Sequence, residues 1–251
     1  MRALVGLTYA FLLAAPLCVL MYSFSASVVL ELPPTELTWR WYQNVLSQPR
    51  LLRAIVFSTL VASAASASAI AAGVPAAYAI TRGRIRSLAT FFLSPLVVPG
   101  IILALGLLMG LRRFAPSTLG SMWPLVLAHM LVTIPWVIRT VSANLELIDP
   151  AQEEAARSLG ATPLQAFFLV TLPSIRPGII TGAAFAFIVS FGNFALSLFF
   201  TGASVTTLPV ALFEYIDQFQ DPTVAAASSL VILATTVVVV LASGLRKMEL
   251  P

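Results

Sequence analysis

Charged side chains divide this chain into long uncharged stretches. Six of them, 3–30, 54–81, 87–111, 114–138, 177–213 and 222–245, are 28, 28, 25, 25, 37 and 24 residues long and hold 167 of the 251 residues. A helix rising 1.5 Å per residue crosses a hydrocarbon core with about 20 residues. Every stretch is long enough to span once, and none clearly holds two spans. The pattern predicts an all-α membrane protein with spans near 4–30, 54–80, 88–111, 121–138, 179–201 and 223–245, forming a single transmembrane domain over 1–251. The first stretch exceeds the roughly 7–15-residue apolar core of a cleaved signal, so it reads as a retained span. The 37-residue stretch is longer than one span needs, and Thr206, Thr207 and Pro209 interrupt its end, predicting a short re-entrant or interfacial helix near 208–217. A second interfacial helix is expected within 31–53, where Trp39, Trp41 and Tyr42 cluster, because amphipathic rings settle at the membrane surface.

Charge orients the spans. With the N-terminus inside, Arg2, Arg82, Arg84, Arg86, Arg139, Arg157, Arg176, Arg246 and Lys247 lie on the cytoplasmic side, nine against the five of Arg40, Arg50, Arg53, Arg112 and Arg113. The positive-inside rule then gives N-in, C-in. Segment 139–178 becomes the one long cytoplasmic loop, between spans four and five. The net charge of +4 is thus explained by orientation, since the arginines are scattered among membrane-flanking loops and form no patch for nucleic acid.

Composition excludes chemistry. The single lysine, Lys247, is followed by Met248, so no G-x-x-x-x-G-K-[ST] phosphate loop exists and nucleotide hydrolysis by that route is ruled out. One cysteine, Cys18, allows no intrachain disulfide, and one histidine, His129, supplies no multi-histidine metal site. Cys18 reads as packing. The pairs Gly106/Gly110 and Gly178/Gly182 let helices approach closely, and read as bundle packing before a dedicated dimerisation face.

Asp149–Gly178 is the informative stretch. Asp149-Pro150-Ala151-Gln152 and Thr162-Pro163-Leu164-Gln165 each present a capping residue, a proline for the first helical position and a glutamine three residues on. Glu153 and Glu154 favour the positive end of the first helix, Gly160 suits a left-handed C-terminal cap, and Leu172-Pro173 ends the second helix. Two short capped helices joined at a glycine elbow result. Its apolar residues Leu164, Phe167, Phe168 and Val170 need burial, either against the ends of the chain's own spans or in a partner.

Glu154-Ala155-Ala156, three residues, Gly160, nine residues and Val170-Thr171-Leu172-Pro173 resemble the EAA loop of ATP-binding-cassette type I importer permeases, E-A-A-x3-G-x9-I-x-L-P, departing only in valine for isoleucine. The resemblance covers roughly residues 50–245. It implies a multi-pass subunit of the bacterial inner membrane, an ATPase dimer that binds ATP and Mg in place of this chain, a second permease subunit of different sequence, and a separate substrate-binding protein. No cofactor and no enzymatic activity are expected of the chain itself. The coupling residues so implied are Glu154, Ala155, Ala156, Gly160, Phe167, Leu172 and Pro173, with Glu153 and Arg157 either pairing with ATPase charges or forming a solvated face.

Polar groups inside spans are candidates for the translocation path because they are costly in hydrocarbon. Ser190, Asn193 and Ser197 lie at helical spacing on the fifth span, and His129 lies on the fourth; each is also open to a packing role. Outside, Glu214, Asp217 and Asp221, with Tyr215, suggest an acidic outer gate, either a rim for a binding protein or guidance for a cationic solute. Phe213-Glu214-Tyr215-Ile216 and Asp221-Pro222-Thr223-Val224 are similar to the spermidine/putrescine permease subfamily. Many of those proteins carry an acidic pair where Gly192 and Asn193 stand, which leaves polyamines, opines and aminophosphonates open, with iron(III) or inorganic anions as the alternative. An ion-coupled secondary transporter is the competing class, but such proteins usually bury acids for the coupling ion and the six stretches hold none. An intramembrane enzyme lacks acid–base pairs here.

Overall fold

The computed structural model describes residues 1–83, 85–201 and 205–248. Arg84 of the basic turn and residues 202–204 of the outer segment lie outside the described residues. The described residues form twelve helices and no strand beyond one antiparallel bridge, Ser25 with Leu37. In chain order they are α1 (Arg2–Tyr22), α2 (Arg40–Ser47), α3 (Pro49–Arg82), α4 (Arg86–Leu93), α5 (Gly100–Phe114), α6 (Trp123–Leu145), α7 (Ala151–Ser158), α8 (Pro163–Ser174), α9 (Arg176–Phe191), α10 (Phe194–Phe200), α11 (Leu208–Gln218) and α12 (Thr223–Met248). Four, over Leu4–Tyr22, Pro49–Arg82, Trp123–Leu145 and Thr223–Gly244, are each long and apolar enough to cross a membrane. Two bent pairs also qualify, Ala89–Leu96 with Gly100–Phe114 at 108° and Pro163–Ser174 with Arg176–Phe191 at 69°.

Three expected spans are shorter or broken. The first helix stops at Tyr22 rather than continuing to residue 30, because Ser23, Ser25 and Ser27 turn the chain with side-chain bonds of their own, Ser23 Oγ to Leu20 O at 2.6 Å and Ser27 N to Ser25 Oγ at 3.2 Å. The stretch 88–111 bends where Ser94-Pro95 and Pro99-Gly100 interrupt the helical ladder. The stretch 179–201 breaks at Gly192-Asn193 and restarts as α10.

By packing the chain forms two compact units, Met1–Phe57 with Val205–Val238, and Ser58–Ser204 with Val239–Pro251. In the first, Trp41 and Val45 of α2 and Leu208, Val210, Ala211 and Tyr215 of α11 are buried. Trp41 Nε1 donates to Ser25 O at 2.6 Å, and the rings of Phe24, Trp39 and Tyr42 stack on one another, so the loop 23–39 is pinned to α2.

In the second unit α6 is the most deeply buried helix. Val137, Val141 and Leu145 of α6, with Ala69 and Ala77 of α3, Ile175, and Ala186 of α9, have no exposed surface. Close approach comes from glycine: a Cβ added at Gly182 of α9 would sit 2.6 Å from Thr140 Oγ1 and 3.1 Å from Val137 Cα of α6, and one at Gly178 would meet the Asn144 side chain at 2.9 Å. Gly106 and Gly110 of α5 have nothing within 4 Å of such an atom. The two G-x-x-x-G pairs, alike in sequence, therefore differ: only the second holds helices together within this chain.

Candidate functional site

The elbow is built from local capping chemistry. Asp149 Oδ1 accepts from Ala151 N at 2.9 Å and starts α7. The helix closes through Gly160 at φ +96°, with Gly160 N bonded to Arg157 O and Ala161 N to Ala156 O. These are the paired bonds of a Schellman cap, which requires the left-handed residue. Thr162 and Gln165 then form a reciprocal capping box, Thr162 N to Gln165 Oε1 at 2.8 Å and Gln165 N to Thr162 Oγ1 at 3.3 Å.

α8 ends at Ser174, one residue past the expected stop at Pro173, but its last turns are not regular. The turn over Phe167–Thr171 widens to π geometry, with Leu172 N bonded to Phe167 O, and the helix continues to Ser174. A proline ring clashes with the carbonyl four residues back in a regular helix, here that of Leu169, so the wide turn falls where the clash would occur.

The predicted coupling residues divide into two faces. Glu154, Ala155, Arg157 and Gly160 are exposed, with Leu159 at 90%, Leu164 at 67%, Phe168 at 53% and Leu169 at 73% around them. Ala156 and Pro173 are half-buried. Phe167 and Leu172 turn inward onto the core of the second unit, Phe167 meeting the Tyr78 ring edge-on at 5.1 Å. Glu153, expected at a solvated or partner face, is likewise turned inward, held by Arg82 Nε at 3.1 Å and Tyr78 OH at 2.7 Å. Arg82 and Tyr78 are residues that sequence reasoning missed; Arg82 at the end of an apolar helix gave the only signal, and it read as orientation.

His129, Ser190 and Ser197 come together, each about 1% exposed. His129 Nδ1 lies 2.8 Å from Ser190 Oγ and Nε2 lies 3.3 Å from Ser197 Oγ, so one imidazole spans the break between α9 and α10. Asn193 does not continue their stripe. Its Oδ1 caps α10 by accepting from Leu196 N at 3.0 Å, a helix start that the Gly192-Asn193 pair signals.

The expected acidic outer cluster is divided among separate partners in the first unit. Glu214 pairs with Arg50, Asp217 is exposed, and Asp221 accepts from Tyr215 OH at 3.0 Å and Thr223 N at 2.9 Å. Tyr215, expected at a gate, is 7% exposed. Asn44 Nδ2, also missed, reaches both Tyr215 OH at 3.2 Å and Thr223 Oγ1 at 2.8 Å. A residue otherwise indistinct in sequence thus joins α2, α11 and the start of α12.

Comparison with known proteins places this geometry. Residues 51–247 match the family model described as binding-protein-dependent transport system inner membrane component. The putrescine transport system permease protein PotI of Escherichia coli strain K12 is 34% identical over 229 residues, covering 88% of this chain and 81% of that protein. The molybdenum transport system permease protein ModB of Mycobacterium bovis is 30% identical over 224 residues, covering 83% and 84%. Among solved structures, a bacterial ABC transporter involved in the import of the acidic polysaccharide alginate superposes with a TM-score of 0.72 at 19% identity, covering 97% of this chain and 94% of that one. The chain belongs to the binding-protein-dependent transport system inner membrane components, the permease subunits of ATP-binding-cassette importers.

Proposed function

We propose that this permease subunit receives the work of ATP hydrolysis through the exposed face of the α7–α8 elbow, which seats on a separate ATPase, and that it passes a small amine-bearing solute. The observation that carries the reading is the elbow itself. Two helices with fixed caps present Glu154, Ala155, Arg157, Leu159, Leu164, Phe168 and Leu169 outward, an apolar patch ringed by charge of the kind that marks a protein contact. A capped helix pair transmits displacement where a flexible loop would absorb it.

In this reading the bent pairs each count as one crossing, giving six spans with both termini and the elbow on the cytoplasmic side. A second permease subunit completes the path and a soluble binding protein delivers the solute. The Ser190–His129–Ser197 cluster holds the broken helix beside that path. The amine assignment is supported by likeness to the putrescine permease. Likeness to the molybdenum permease favours one second reading, an oxyanion substrate, consistent with uncharged stretches that contain no acid to hold a cation.

Purification with co-expressed partner subunits tests the docking. The wild-type chain retains the ATPase, and Glu154→Arg with Leu159→Arg releases it while the permease still unfolds at the wild-type temperature. Retention by the double variant would sink the docking face. Uptake of labelled putrescine against labelled molybdate by the assembled importer separates the two substrate readings.

A further inference from the structure

We infer that Glu153 is a positioning residue: with Arg82 and Tyr78 it locks both limbs of the elbow to the end of α3, so that displacement of the elbow moves α3 together with α6 and α9. The inference rests on the docking reading above, and adds where the motion goes. By chain connection the elbow touches only α6, through residues 146–150, and α9, through Ile175. Arg82 and Tyr78 are 71 and 75 residues from Glu153 in sequence, so the link to α3 is made by side chains alone.

The geometry uses both oxygens of one carboxylate. Oε1 accepts from Arg82 Nε at 3.1 Å and Oε2 from Tyr78 OH at 2.7 Å, while Arg82 Nη2 donates to Ile148 O at 3.1 Å, just before α7. Charge-assisted bonds of this type are about twice as strong as neutral ones. The pair is also sheltered. Arg82 and Glu153 side chains are 17% and 13% exposed, against 49% and 41% for Arg50 and Glu214, so salt screens the first pair much less than the second.

Tyr78 makes the lock act on two bodies. Its hydroxyl holds Glu153 on α7, and its ring packs edge-on against Phe167 of α8 at 5.1 Å. Between those limbs the chain runs through Gly160, whose added Cβ would meet nothing within 4 Å. The Schellman cap closes α7 at that glycine, and α3 holds the limbs on either side of it from outside. The neighbouring acids therefore have different tasks: Glu154 is exposed on the outer face, and Glu153 faces inward.

The test uses the assembled importer in a Cys18→Ser background, with spin labels on Ser158→Cys of α7 and Ala71→Cys of α3, both exposed positions. Pulsed electron paramagnetic resonance reads their distance in the nucleotide-free and the vanadate-trapped states. We expect one narrow distance that does not change on trapping. Glu153→Gln and Tyr78→Phe should broaden it and let it shift on trapping, with the ATPase retained at the wild-type amount. The exchanged pair Arg82→Glu with Glu153→Arg should narrow it again. Stimulation of ATP hydrolysis by the binding protein should fall about 2- to 30-fold in the single variants, the range of coupling carried by such contacts. A wild-type distance that changes on trapping, an unbroadened Glu153→Gln, or loss of the ATPase from Glu153→Gln would each overturn the lock. Failure of the docking reading is distinct: the wild-type chain then retains no ATPase, and the nucleotide-free width in Glu153→Gln still decides whether the lock exists.

Discussion

Replacing Gly182 by alanine probes the tightest helix crossing in the second unit. The new methyl would lie 2.6 Å from Thr140 Oγ1 and 3.1 Å from Val137 Cα. Neither neighbour yields easily. Thr140 Oγ1 is bonded to Trp136 O and Val137 O, both at 3.0 Å, and Val137 Cα is backbone. Overpacking of this kind costs about 1–3 kcal/mol, while alanine returns up to about 1 kcal/mol of helix propensity. The net expectation is a loss of about 1–2 kcal/mol. At about 2–4 °C per kcal/mol for a chain of this size, the midpoint falls by several degrees, read by tryptophan fluorescence of the purified chain in detergent. Gly106→Ala is the matched control. Nothing lies within 4 Å of its new methyl, so only the propensity gain remains, and its midpoint should rise by about 2–4 °C. Adding Thr140→Ala to Gly182→Ala should recover part of the loss. Equal shifts of one sign from Gly182→Ala and Gly106→Ala would refute the reasoning, since they would show that the contacts around each glycine do not set the outcome.

Other positions give expectations of comparable size. Gly160→Ala should cost about 1–2 kcal/mol through its left-handed backbone alone, because no atom crowds the site; Gly160→Asn should cost less, and equal unfolding midpoints for the two variants would count against a purely conformational origin. Trp41→Phe removes the 2.6 Å bond to Ser25 O, worth about 1 kcal/mol, and should speed hydrogen exchange at the Ala26 and Thr38 amides, which pair with Glu36 O and Phe24 O. His129→Leu leaves Ser190 Oγ, 1% exposed, without its imidazole partner, a loss of about 1–3 kcal/mol; adding Ser190→Ala should recover most of it, and simple additivity of the two changes in a thermal double-mutant cycle would contradict the pairing.

The elbow was legible because its determinants are local. Asp149, Gly160 and the Thr162–Gln165 box each act within six residues, and capping chemistry needs no tertiary context. The helices α2 and α11 were legible for a related reason, since polar and turn residues bound them on both sides. Contacts between distant segments were not. Glu153 reads as one more charge on a polar helix until Arg82 is brought beside it, and Gly106 and Gly182 differ only in what lies across from them. The breaks at Ser23 and Asn193 were present in the sequence as serine alternation and a Gly-Asn pair, but the absence of charge hid them. Uncharged length reports hydrophobicity and carries no record of where the backbone ladder stops. The π turn before Pro173 was hidden likewise, because a proline late in a helix signals an end, and widening the turn is the other solution.

The polar cluster at the broken helix also has a direction. Ser197 Oγ donates to Asn193 O at 2.7 Å, and a carbonyl can only accept. The hydroxyl proton of Ser197 is thereby committed, so its oxygen must accept from His129 Nε2–H, and Nδ1 in turn must accept from Ser190 Oγ–H. One immovable acceptor thus aligns three bonds head to tail and selects the imidazole tautomer. The alignment cannot invert bond by bond, since a single reversed link would set two donors or two acceptors face to face. Ser197→Ala should erase it, leaving both tautomers in exchange, a change that nitrogen-15 shifts of the single histidine report directly.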